Sequence, residues 1–155
     1  MAIEEGKPAP AFTLADANGQ QVSLTDFLGK SVVVFFYPKD DTPGCTKEAC
    51  GFRDQWQELK DLGVVVLGVS PDGGESHHKF ALKFKLPYTL LSDPSHAMMI
   101  AYGAWGEKIS YGKTSKGVIR STVFVGPDGK VRKHWPVVRD AEAHPAKVLE
   151  ALKAR

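Results

Sequence analysis

The chain is 155 residues long, 43% hydrophobic and 25% charged, enough for one full hydrophobic core and too apolar for a disordered segment. Its 20 basic residues exceed its 18 acidic ones to give a net charge of +2, and they are scattered, which excludes the basic run of a nucleic-acid-binding tail. The longest apolar runs, Val32–Tyr37 and Val64–Leu67, fall well short of the roughly 18 residues of a membrane span. No internal repeat or Ser/Gly/Pro-rich linker marks a boundary, so residues 1–155 are read as a single domain. The opening segment Met1–Ala11 has no charged n-region ahead of an apolar stretch, so no leader is expected and the compartment expected is cytoplasmic.

In chain order, Ala11–Leu14 and Gln21–Leu24 flank the turn signal Asn18-Gly19 and predict an N-terminal β-hairpin. Ser31–Tyr37 and Val64–Ser70 are nearly continuous in Val and aromatic residues, the composition of strands covered on both faces. Between them Thr42, followed by Pro43, predicts the start of a helix, and Gly63 its end. A second helix is expected over Glu75–Phe84, stopping before Leu86-Pro87, then a short strand at Thr89–Leu91 and a short helix near His96–Tyr102. Val118–Val125 and Lys130–Trp135 flank the turn Gly126-Pro127-Asp128-Gly129, and Ala141–Lys153 has the period of an amphipathic helix. Strands alternating with helices, closing on a hairpin and a helix, give an α/β fold with a central mixed sheet flanked by helices.

A chain of this size needs no single short staple, so its two cysteines, Cys45 and Cys50, raise a question of reactivity. If Thr42 caps the helix, Cys45 falls in the first turn, where unpaired N–H groups and the macrodipole favour a thiolate, the nucleophilic form. Cys45, Ala49, Phe52, Trp56 and Leu59 form an apolar stripe facing the core, whereas Cys50 heads the polar row Asp54, Gln57 and Asp61 facing water. On ideal helix geometry this spacing turns about 140° and leaves the two Cα atoms roughly 8.7 Å apart, beyond the roughly 7 Å that a disulfide tolerates. A Cys45–Cys50 bridge therefore requires local unwinding. The plainer alternative is that both cysteines are small buried apolar residues.

The remaining candidates are weaker. The five histidines His77, His78, His96, His134 and His144 offer no ligand spacing with the two cysteines, so no metal is expected. The pair His77-His78 is read as a helix decoration without a role, one ring toward Phe80 and Phe84 and the other in water. Arg120 interrupts what reads as a buried strand and needs a partner. A carboxylate such as Glu48 and the Cys45 thiolate are both open.

Pro38-x-x-x-Thr42-x-x-Cys45 resembles the peroxiredoxin active-site signature, and Gly44-Cys45-Thr46-x-Glu48-Ala49-Cys50-x-Phe52-Arg53-Asp54 is similar to the peroxiredoxin Q branch, or bacterioferritin comigratory proteins. Gly6-Lys7-Pro8-Ala9-Pro10-x-Phe12, Leu90-Leu91-Ser92-Asp93, Tyr102-Gly103-x-Trp105-Gly106-Glu107-Lys108 and Arg120-Ser121-Thr122-x-Phe124 extend the similarity over roughly Gly6–Leu152. The resemblance implies a thioredoxin-like fold and a cofactor-free thiol peroxidase acting on hydrogen peroxide and organic hydroperoxides. It implies that Cys45 is the peroxidatic cysteine, and that Thr42, Arg120 and the backbone near Gly44 and Cys45 bind the peroxide, with Pro38 shielding the pocket and Glu48 a further candidate. In some members the resolving cysteine lies on the next helix; Glu75–Phe84 has none, which leaves Cys50 as the resolver, a Cys45–Cys50 disulfide, thioredoxin as reductant and a monomer. Against this stand a thiol–disulfide oxidoreductase, which more often uses C-x-x-C, and a copper-delivery module using the cysteines with His134.

Overall fold

The computed structural model describes residues 3–110 and 112–154, with side chains left undescribed at 108–110. Met1 and Ala2 of the opening segment lie outside the described residues, as does the last residue of the domain read above.

The expected N-terminal hairpin is present as β1 (Thr13–Asp16) and β2 (Gln21–Ser23), antiparallel, with Gly19 at φ +80° in its turn. Residues Leu24–Phe27 then form a 3-10 turn, so the strand expected to reach Leu24 ends at Ser23. The two Val-rich runs form β3 (Ser31–Phe36) and β4 (Val64–Ser70), paired parallel in the register Val33↔Val66. The next elements are α3 (Gly74–Phe84), β5 (Thr89–Ser92) and α4 (Ala97–Ala101). β8 (Ser121–Val125) and β9 (Val131–Trp135) form the C-terminal hairpin, and α5 (His144–Lys153) ends the fold. Seven strands make one mixed sheet in the order β2-β1-β5-β4-β3-β8-β9.

Alternation along β3 splits the core in two. Val33, Phe35 and Tyr37 join Cys45, Phe52, Phe80 and Val148 on one face, while Val32, Val34 and Phe36 join Phe12, Met99 and Tyr102 on the other. Gly68 sits opposite Phe35 in the β3–β4 register, and a Cβ there would lie 2.8 Å from the Phe35 ring. The glycine thus gives the ring room to stack on Phe52 at 4.9 Å, which seats the cysteine-bearing helix on the sheet.

Three expectations are corrected. The helix expected from Thr42 to Gly63 is two helices, α1 (Pro43–Asp54) and α2 (Trp56–Asp61), separated at Gln55. Gln55 donates its N–H to Phe52 and Arg53 carbonyls, a tightened turn at φ −96°, ψ 3° that ends the regular ladder. The strand expected over Val118–Val125 is broken at Ile119-Arg120: the preceding piece is β7 (Lys113–Val118), paired with β6 (Trp105–Ser110) in a separate two-stranded sheet. The last helix starts at His144 and not at Ala141, because residues 141–143 form a turn in which the Asp140 carboxylate takes the Ala143 N–H at 3.1 Å.

Candidate active site

The chain leaves β3 through Tyr37 and turns at Asp41, a non-glycine residue at φ +58°, a conformation that costs strain and recurs at functional sites. Thr42 then takes the N-cap position with Pro43 in the first turn of α1. Its hydroxyl does not cap the helix. It donates to the Lys39 carbonyl at 2.8 Å, and no side chain caps the helix start. The N-terminal N–H groups of α1, together with the lone pairs on Thr42 Oγ1, are the donors and acceptors available at this end of the helix.

Cys45, 1% exposed, lies in that first turn. Arg120, at the break between β7 and β8, donates from Nη2 to Cys45 Sγ at 3.2 Å and from Nη1 to Glu48 Oε1 at 2.8 Å. Both partners left open for Arg120 are therefore its partners, because a planar guanidinium fork has two ends. A Cβ on Gly44 would stand 3.2 Å from Arg120 Nη2, so a side chain there would press the cation aside by a few tenths of an ångström. Burial works against the Arg120 charge, but Glu48 and Cys45 hold its pKa above the ordinary value. Glu48 itself is 0% exposed, and burial, only partly offset by Arg120, raises its pKa to about 7. Pro38 is half-buried at the start of the same loop. Pro38, Thr42, Gly44, Cys45, Glu48 and Arg120 thus occupy the loop after β3, the first turns of α1 and the β7–β8 break.

Cys50 lies on the same unbroken helix, partly exposed, and both cysteines are free thiols. Burial pushes the Cys50 thiol up, Arg53 pulls part of that back, and Asp54 adds a smaller push upward. The rest of α1 is fastened: Tyr88 Oη donates to the Ala49 carbonyl at 2.6 Å and Arg53 Nη1 to the Phe84 carbonyl at 2.8 Å.

His77 departs from its reading as a helix decoration. It is 0% exposed and faces Asp40, with Nδ1 2.7 Å from Oδ2, while Nε2 meets the Leu91 carbonyl at 2.9 Å; its neighbour His78 is exposed, as expected. Tyr37 and Ser76 also donate to the Asp40 carboxylate, at 2.5 Å and 2.8 Å. This group pins the loop before Thr42 to α3, and sequence reasoning missed it. His134 sits on β9, and among the described residues no three His, Cys, Asp or Glu side chains gather as a metal site. No helix among them is long and apolar enough to cross a membrane.

Comparison with known proteins agrees with this architecture. Residues 6–134 match the AhpC/TSA family model. A peroxiredoxin Bcp of Bacillus subtilis is 43% identical over 99% of this chain and 97% of its own length, and a putative peroxiredoxin bcp of Coxiella burnetii is 47% identical over 98% and 100%. A structure of the Xanthomonas campestris bacterioferritin comigratory protein, from work on its alkyl peroxide reduction activity, superposes with a TM-score of 0.89. It is 37% identical and covers 97% of this chain and 98% of that one. The chain belongs to the AhpC/TSA family and is a peroxiredoxin of thioredoxin-like fold, a thiol peroxidase.

Proposed function

We propose that Cys45 is the peroxidatic cysteine and Cys50 its resolving partner. The observation that carries this reading is the contact of Arg120 with the Cys45 sulfur, 3.2 Å at an uncapped helix N-terminus. A thiolate there is stabilised by the guanidinium and by the helix dipole. The incoming peroxide gives its O–H to Thr42 Oγ1, whose own proton goes to Lys39, while the Arg120 fork and the N–H groups at Gly44 and Cys45 stabilise the charge moving along the breaking O–O bond. Cys45 sulfur bonds to the terminal oxygen, the O–O bond breaks, and water or an alcohol leaves after taking a proton, with a sulfenic acid on Cys45. Pro38 shields this pocket.

The first turns of α1 then unwind so that Cys50 condenses with the sulfenic acid, releasing water and forming the Cys45–Cys50 disulfide. Thioredoxin, or a similar dithiol, restores both thiols by exchange. Hydrogen peroxide and organic hydroperoxides share the O–O bond and are the substrates. An intramolecular resolver needs no second chain, which favours a monomer, and two thiols kept reduced by an external dithiol suit a single-domain enzyme of the cytoplasm.

The test is intact mass after one equivalent of hydrogen peroxide. The wild type is expected to lose about two mass units and Cys50→Ser to gain about sixteen, while Cys45→Ser does neither. Sustained thioredoxin-dependent turnover by Cys50→Ser would remove the resolving role, and oxidation of Cys45→Ser at the wild-type rate would remove the peroxidatic one.

A further inference from the structure

Glu48 and Cys45 are two buried acids facing one cation. They are 0% and 1% exposed, and Arg120 divides its two terminal nitrogens between them. With both acids ionised, one guanidinium faces two negative charges in a low-dielectric site, and an uncompensated buried charge is costly. The second carboxyl oxygen, Glu48 Oε2, is buried with no hydrogen-bond partner among the described residues. Tyr88 approaches from the segment before β5 and gives its hydroxyl to Ala49, and His144 from α5 is bonded to Thr122. Arg53 and Cys50, further along α1, face Tyr88 and Asp54. Arg120 is the cation paired with Glu48 among the described residues.

We propose that Glu48 is a positioning residue that holds a proton while Cys45 is a thiolate, leaving the Arg120 charge to the sulfur, and that takes this charge back once the sulfur is oxidised. The inference rests on Cys45 being the reacting thiol. Written over the site, thiolate, protonated Glu48 and hydroperoxide become sulfenic acid, ionised Glu48 and alcohol. The S–O bond forms, the O–O bond breaks, and the proton that Glu48 gives up equals the one the leaving alkoxide takes, so atoms and charge balance. Burial, against the pull of Arg120, sets the Glu48 pKa at about 7, in the neutral range, and a thiolate at Cys45 that shares the same guanidinium raises it further; that added part is what removal of the thiolate takes away. At higher pH Glu48 ionises and competes with the thiolate for Arg120.

The experiment is a carboxyl-carbon NMR titration of the reduced protein labelled at glutamate. One glutamate is expected to titrate near neutrality in the wild type, and its midpoint to fall by about one pH unit or more in Cys45→Ser, where Arg120 serves Glu48 alone. Reciprocity requires that Glu48→Gln move thiolate formation at Cys45, followed by its ultraviolet absorbance, to lower pH by a similar amount. A merely structural Glu48 would show neither shift. The proposal is overturned if every glutamate of the reduced wild type titrates in the ordinary carboxylate range, or if the neutral-range midpoint is unchanged in Cys45→Ser. Should Glu48→Gln not fold, the NMR arm decides alone. Peroxide turnover by Cys45→Ser would instead remove the reading of Cys45 while leaving the Glu48 titration to stand.

Discussion

At the scale of single residues the site depends on the shape of a cation. Arg120 reaches Glu48 and Cys45 at once because its two terminal nitrogens diverge in a plane. Arg120→Ala is therefore expected to slow sulfenic acid formation by roughly 10²–10³-fold, the usual loss when one charge-stabilising donor is removed. Arg120→Lys is expected to recover only part of that rate, because a point charge serves one partner at a time. Stopped-flow oxidation of the reduced proteins measures both, and equal rates in all three would leave Arg120 with a structural role alone. Cys45 and the need for a partner at Arg120 were legible in the sequence, from a helix-start pattern and from a charge in an apolar context. The burial of Glu48 was legible too and was overlooked: it stands three residues after Cys45 and four before Phe52, on the same helical stripe.

At the scale of elements, the loop between β3 and α1 is held from beneath by α3. The Asp40–His77 pair is buried on both sides, at 3% and 0% side-chain exposure, and Tyr37 and Ser76 complete the bonding of the carboxylate. His77→Ala removes one of the three hydrogen bonds to the buried Asp40 carboxylate, leaving those from Tyr37 and Ser76, and is expected to cost about 1–3 kcal/mol of stability, read as a lower urea midpoint at an unchanged slope. No loss of stability would mean that Asp40 is readily rehydrated. This clamp was illegible because Asp40, on a loop, and His77, on a later helix, share no local period. The β6–β7 hairpin escaped for a different reason. Lys113–Lys116 are exposed on both faces, so no alternation of apolar and polar residues betrays a strand. The break at Gln55 has neither Gly nor Pro to announce it. It does confine change: α2 keeps Leu59 in the core independently of the α1 turns that carry the cysteines.

At the scale of the molecule, two buried groups give stability opposing slopes with pH. His144, bonded to Thr122 at 2.8 Å, has its pKa lowered from 6.5 to about 4 by burial, Lys147 and Arg120. The unfolded chain binds that proton first, so this part of the stability is present above about pH 6.5 and is lost toward pH 4, on the order of 2 kcal/mol. Glu48 runs the other way. Its pKa is raised from 4.5 to about 7, so the folded chain keeps a proton that the unfolded one releases, and stability falls as pH rises through that interval. Urea midpoints are expected to be highest between these limits. Glu48→Gln should flatten the fall toward pH 8 and His144→Gln the fall toward pH 4.5; unchanged limbs in the variants would count against both assignments. The layering of the mixed sheet was legible because β3 and β4 are apolar on both faces, while the passage of the chain from a small separate sheet into the main one, at Arg120, was not.

That passage also bears on how the chain folds. The guanidinium that meets Cys45 comes from 75 residues downstream and reaches it only when β8 has docked beside β3, with β9 on the outside. Contacts of such sequence separation pay loop-closure entropy and form late. On the proposed reading of Cys45, a partly folded chain in which β8 has not docked lacks this cation, and heightened reactivity toward peroxide is expected only once β8 has paired with β3.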